Sequence, residues 1–391
     1  MTRRLLLCLM ILMALLAGCG APVELAEASA AVTEFQIPLY TDATPAVLWG
    51  RQQLSAHAQA AYDDMSVAIA CHQEGPLVVD ADNDEIPLIL TALRIDHPEY
   101  FWFDGEASFV TTTLAGHKIR TECTFSYTMP LEDIQAAHQQ VQQYATACLS
   151  SPEVAGAQDD YQRILGVYRY IIGHTDYVLS ETDQSIVSVM GRNQATCAGY
   201  ARSFQYLMSQ LGIPCTLALG QGTSGESHGW NMVQCDGDWY QMDVTWGDPV
   251  GPDDLPGDGI QYTYFLVTDQ EIYRDHTLDC DLPMPVCTAT RDNYFIRSGL
   301  QYDSWDLDAF DRALGRCAQA GEEWFSVRFS NRETYDSAVN TLFRDGAIWA
   351  VLQRWDATLD SQTRVTYTQN DLFYEISVQL DGNIHTGRDN S

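Results

Sequence analysis

The chain has 391 residues, with 53 acidic against 21 basic side chains and a formal net charge of −32. No basic stripe is available to neutralise phosphates, which argues against nucleic acid as a partner. An apolar fraction of 46% and an aromatic fraction of 11% suffice for large cores, and the length predicts two or three domains.

Arg3 and Arg4 precede an apolar run, residues 5–17. The run is shorter than the roughly 20 residues a bilayer-spanning helix needs and has the form of a secretory signal. Its ending, Leu16-Ala17-Gly18-Cys19, resembles a bacterial lipobox. That resemblance implies removal of residues 1–18, lipidation of Cys19 and anchoring at the outer side of the bacterial cell membrane. The other reading is an ordinary signal cut after Ala28-Ser29-Ala30. Residues 19–34, rich in Ala and Glu, read as a tether.

Residues 35–150 read as an N-terminal α+β region. A helix is expected over 47–73, stopped by Gly75-Pro76, and another over 86–93. The aromatic stretch 100–103 reads as a strand, followed by strands over 108–114 and 119–127 and a helix over 131–148. His97 stands before Pro98 with no Cys or His at metal spacing, and reads as a turn residue.

Residues 151–300 carry the chemistry. Ser151-Pro152 punctuates the chain, and Tyr161, Leu165, Tyr168 and Ile172 share one face of a helix over 159–172. A second helix runs from Cys197, with Tyr200, Phe204, Leu207, Met208 and Leu211 at helical spacing, until Gly212 and Pro214 end it. Cys197 therefore falls at a helix N-terminus, where the macrodipole and unpaired N–H groups favour a thiolate. A strand over 213–220 and a Gly/Ser-rich loop lead to His228.

Two strands then meet at Cys235-Asp236-Gly237-Asp238, where Asp-Gly marks a hairpin turn. With Cys235 opposite Asp238, Trp230 faces Asp243 and His228 faces Thr245. His228 and Asp243 then share one sheet face, one diagonal step apart, and Asn231, Val233, Tyr240, Met242 and Val244 occupy the other. Taken singly, such a cysteine or histidine reads as a core residue. Together, Cys197, His228 and Asp243 form the set that nucleophilic catalysis requires: nucleophile, base and orienter. The backbone N–H of Cys197 would serve an oxyanion hole, with Gln194 a candidate second donor. The acidic loop 248–258 lacks the alternating ligands of an EF-hand and reads as solvated, so neither metal nor cofactor is expected.

These motifs carry a resemblance. Cys197-Ala198-Gly199-Tyr200-Ala201 opening a helix, His228-Gly229-Trp230-Asn231-Met232-Val233 on a strand, and Trp239-Tyr240-Gln241-Met242-Asp243-Val244-Thr245-Trp246 followed by Asp248-Pro249 resemble the transglutaminase-like superfamily, of exported bacterial lipoprotein type. The resemblance covers residues 155–290. It implies an α+β, papain-like core in which the nucleophile helix packs on an antiparallel sheet. The implied activity is cysteine-dependent acyl transfer on peptide, protein or cell-wall peptide amides. The rival reading is a non-catalytic surface module for binding or adhesion. Gly229, where the family more often has Ala, should leave the chemistry intact. Lys118 is the single lysine, so self-crosslinking through lysine would have almost no acceptor.

Residues 301–391 read as a small α/β domain, with helices over 305–318 and 332–346 and strands over 324–329, 347–352, 365–368 and 373–380. Of eleven cysteines, Cys8, Cys19 and Cys197 leave eight, a number compatible with export or with free buried thiols. If Gln221 lies opposite His228, Cys215 falls opposite Gln234, beside Cys235. A Cys215–Cys235 disulfide and two buried thiols are then the alternatives.

Overall fold

A computed structural model of the protein describes residues 45–180, 184–248, 259–355 and 365–380. These belong to one compact unit, Pro38–Ser391. The signal, Cys19, the tether and most of the acidic loop lie outside the described residues.

The helix expected over 47–73 is two helices, Trp49–Gln53 and Ala56–Ala70. The break falls where Ser55, in extended backbone, accepts the Ala58 N–H through its side chain and caps the second helix. Strand β1 (Leu77–Val79), the helix Glu85–Asp96, and strands β2 (Phe103–Leu114) and β3 (His117–Tyr127) follow, the strands pairing antiparallel in the order β1-β3-β2. The stretch 100–103, expected as a strand, is a turn closed by the Phe103 N–H donating to the Tyr100 carbonyl, and only Phe103 joins β2. Burial explains the difference. Tyr100, Phe101 and Trp102 are all buried, and Trp102 donates its indole N–H to the Ile69 carbonyl; alternating strand faces could not turn three consecutive rings into one core.

After the helix Leu131–Leu149, the helix Asp160–Ile172 packs its Tyr161, Ile164, Tyr168 and Ile171 inward. Short strands β4 (Asp176–Tyr177) and β5 (Gln194–Ala195) run parallel, with the helix Ile186–Arg192 between them. The central helix, Cys197–Gln210, is buried at every position from Gly199 to Met208. It lies against the sheet formed by β6 (Cys215–Gln221), β7 (Ser227–Cys235), β8 (Asp238–Met242) and β9 (Thr277–Leu278), in the antiparallel order β8-β7-β6-β9. Val233, Cys235, Tyr240, Met242 and Val244 share one core with that helix. Trp230 and Met232 face a second, smaller core on the other side.

The hairpin register is the expected one: Cys235 opposes Asp238 and Asn231 opposes Met242. The β6/β7 register is not. Gln221 pairs with Ser227 and Cys215 with Val233, one residue from the expected pairing. The cause is the connecting loop, drawn tight by Gly222 donating to Glu226 and by Gly225, at φ +79°, donating to Gly222. Cys215 and Cys235 are consequently diagonal neighbours rather than a cross-strand pair, and both are buried free thiols.

Strand β10 (Gln301–Tyr302), the helix Leu307–Ala320, strand β11 (Trp324–Phe329), the helix Arg332–Val339 with its π-helical extension Asn340–Arg344, and strands β12 (Tyr367–Asn370) and β13 (Glu375–Gln379) complete the fold. Their sheet, ordered β10-β11-β13-β12, has its own core. The strand expected over 347–352 is instead the helix Ala347–Trp355, which buries Ile348, Val351 and Leu352. Those positions recur at three and four residues, the period of a helix.

Candidate active site

Cys197 is placed by what precedes it. Asn193 closes the previous helix in the left-handed region, at φ +56°, and β5 then pairs with β4 before Thr196 turns the chain into the central helix. Cys197 is the first helical residue, half-buried, among N–H groups that have no partner within the helix. Deeper in, Asn231 of β7 donates its amide to the Ala201 carbonyl, which ties the helix to the sheet, and Gln205 donates to the Ile95 carbonyl, which ties it to the helix Glu85–Asp96.

His228 is the second residue of β7 and Asp243 the first residue beyond β8. His228 Nε2 lies 2.7 Å from Asp243 Oδ2, and the carboxylate is wholly buried. Its other oxygen accepts the Trp246 backbone N–H at 3.1 Å. Burial disfavours charge on His228, but the charge and hydrogen bond of Asp243 outweigh it, and Cys197 adds a hydrogen bond and charge attraction; the imidazole is pushed up to about 10. Burial likewise opposes charge on Asp243, and His228 and His276 overcome it, holding this carboxyl well below the usual range. At neutral pH the pair is therefore imidazolium and carboxylate.

His276 escaped the sequence reading. Its Nε2 lies 3.0 Å from the same Asp243 Oδ2, its Nδ1 lies 2.7 Å from Asp275 Oδ1, and the Tyr264 hydroxyl donates to Asp275 Oδ2 at 2.6 Å. With a carboxylate at each ring nitrogen, both nitrogens donate. His276 is raised accordingly: burial opposes the charge, and the hydrogen bonds it donates to Asp243 and Asp275 prevail. It arrives on the approach to β9, which can seat on β6 because residue 220 is a glycine. A Cβ there would stand 2.0 Å from the Thr277 carbonyl oxygen and 2.8 Å from the Trp230 ring. Trp246 completes the enclosure, with ring centroids 5.4 Å from His228 and 4.3 Å from His276.

The His228, Asp243 and His276 cluster also has the composition of a metal site. However, both Nε2 atoms face one carboxylate oxygen at hydrogen-bond distance, so both carry protons, whereas a metal needs their lone pairs. Gln194 sits on β5 with an exposed side chain. His97 is a buried structural residue, bonded through Nδ1 to Glu99 and through Nε2 to the Tyr62 hydroxyl.

The Transglutaminase-like superfamily model matches residues 149–244, a span that takes in Cys197, His228 and Asp243 and ends before His276. The kyphoscoliosis peptidases of Mus musculus and Homo sapiens are each 28% identical over 108 residues, covering 23% of this chain and 16% of theirs. The chain thus aligns with only a small part of these relatives. Among solved structures, one described as a TGase covers 46% of this chain and 55% of its own, at 13% identity and a TM-score of 0.27. The chain carries a transglutaminase-like domain, α+β with antiparallel sheets, consistent with a papain-like core.

Proposed function

We propose that the protein is a cysteine-dependent acyl-transfer enzyme acting outside the cytoplasm on peptide or protein amides, cell-wall peptides included, with water as the usual acceptor. The single observation that carries this reading is the buried His228–Asp243 contact at 2.7 Å, with Cys197 acting on the same imidazole from a helix N-terminus.

In this mechanism Cys197 attacks the amide carbonyl as a thiolate, forming the S–C bond. The His228 imidazolium gives its proton to the departing amine as the C–N bond breaks. His228, now neutral, takes a proton from water as it attacks the thioester, and Cys197 leaves as thiolate. Asp243 holds the ring orientation and stabilises its charged form. The Cys197 backbone N–H would face the oxyanion, with Gln194 as candidate second donor. Lipidated Cys19 would hold the enzyme at the membrane surface.

The test is a panel of peptide amides incubated with the protein, with and without added primary amine, followed by mass. Free acid products that require Cys197 support hydrolysis. Amine adducts in excess of hydrolysis would make transamidation the main reaction. No turnover of any peptide by the wild-type chain would favour the non-catalytic surface module.

A further inference from the structure

Behind the first turn of the central helix lies a cavity of about 400 Å³, walled by Ala198, Arg202, Arg94, Phe101, Phe103 and Asp104. Ala198 adjoins the nucleophile, and Arg202 lies one turn further along the same helix face. Arg202 is only 9% exposed, and among the described residues its side chain makes no hydrogen bond or ion pair. A guanidinium carries five donors, and burying its charge without a partner is costly. The neighbouring charge has the same sign. Burial and Arg94 together pull Arg202 down to about 10, which still leaves it cationic at neutral pH.

Arg94 has the same deficiency, since its Nε is buried and has no acceptor. Its stem lies against Gly105, where the backbone is at φ +90° and a Cβ would stand 3.0 Å from Arg94 Cδ. The one acid on the wall, Asp104, accepts the Glu106 backbone N–H at 2.8 Å and forms no ion pair with either arginine. In a chain with 53 acidic side chains against 21 basic ones, three arginines line this cavity, Arg94, Arg192 and Arg202, and among the described residues neither Arg94 nor Arg202 has an ion pair.

We propose that this cavity is a carboxylate-binding subsite, in which Arg202 and Arg94 hold a carboxylate of the peptide presented to Cys197. Arginine suits the role because its planar fork matches a carboxylate in two parallel hydrogen bonds. Phe101 and Phe103 exclude water from one side and strengthen the attraction. The carboxylate belongs either to a peptide C-terminus or to an acidic side chain. The receptor itself stands on the arginines; only its service to a peptide rests on the catalytic reading of Cys197.

The experiment is calorimetric titration of the full chain carrying Cys197→Ser, so that binding is read without turnover. The probes are N-acetyl-Ala-Ala with a free C-terminal carboxylate, the same dipeptide as its C-terminal amide, N-acetyl-Ala-Glu-Ala-amide, and inorganic phosphate. At least one carboxylate peptide should bind at least tenfold more tightly than the dipeptide amide, and the one that does so identifies the source. Arg202→Gln and, separately, Arg94→Gln should each weaken that binding at least tenfold. Equal binding of acid and amide, a preference for phosphate over both acids, or unchanged binding in the two variants would overturn the proposal. Thermal unfolding of Arg202→Gln gives an independent check. Removing an unpaired buried charge should leave the midpoint of the unliganded protein unchanged or higher. A lowered midpoint would show that Arg202 has an internal structural partner, which also overturns the assignment. Because no cleavage is measured, failure of this binding and failure of the enzyme reading are separately visible.

Discussion

His276 Nε2 stands 3.0 Å from Asp243 Oδ2, the oxygen that also accepts His228 at 2.7 Å, so one buried carboxylate serves two imidazoles. The second imidazole is itself held by Asp275, which accepts from Tyr264. Asp243 is thereby fixed in direction, and the ring of His228 with it. In the proposed mechanism His276 is a positioning residue, acting on His228 through Asp243.

Its substitution should be informative in two ways. His276→Ala leaves Asp243 and Asp275 each short of a buried donor, which costs about 1–3 kcal/mol of stability. It also removes a positive charge beside Asp243, so the imidazolium of His228 should be held more strongly. We expect kcat on a peptide substrate to fall about tenfold with the alkaline limb of the pH–rate profile moved upward. His276→Gln, which keeps one donor, should recover part of both losses. A stability loss with an unmoved pH profile would mean that His276 only fills space.

The His228–Asp243 pair also sets a pH dependence of stability. His228 is raised from the ordinary value near 6.5 to about 10 in the folded chain. Its contribution is therefore fully present below about pH 6.5 and is lost as pH rises through about 10. The same ion pair, seen from the depressed Asp243, is lost at the acid end only as pH falls through that carboxyl's low folded value. Urea unfolding of wild type and His228→Ala should differ by a gap, on the order of a few kcal/mol, that narrows between pH 7 and pH 11. A constant gap across that range would contradict the ion pair.

Gly220 tests how His276 comes to the site. A Cβ there would stand 2.0 Å from the Thr277 carbonyl oxygen, which is backbone and has little room to yield. Gly220→Ala should cost about 1–3 kcal/mol by overpacking and displace β9 with His276. Urea unfolding and the pH–rate profile should show this together, with the profile shifting toward that of His276→Ala.

The membrane reading has its own test. Cys19→Ser should release the protein from the membrane fraction or leave the precursor unprocessed. Unchanged processing and unchanged membrane association would remove the lipoprotein assignment.

How much of this was legible in the sequence depended on how local each signal is. The helix at Cys197 and the hairpin bearing His228 and Asp243 rest on short-range periodicity and one Asp-Gly turn, and the structure has both. The Cys215 register failed because two hydrogen bonds inside a Gly/Ser-rich loop decide it, and no side-chain pattern records them. Residues 347–352 misled because a short apolar run fits strand or helix equally until its partners are known. His276 was invisible for a different reason. It follows Asp243 by 33 residues and reaches it through an edge strand of two residues, seated beside a glycine. An Asp275-His276 pair downstream of the Cys197, His228 and Asp243 motifs was the one available signal.

The activation of Cys197 by His228 is tested most directly by covalent labelling of the folded, reduced protein at neutral pH with a limiting amount of iodoacetamide, followed by peptide mapping. Cys197 should be alkylated first, ahead of the buried free thiols such as Cys123, Cys148 and Cys215, and His228→Ala should slow this labelling at least tenfold. A Cys197 that stays unmodified, or that reacts at the same rate without His228, would contradict it.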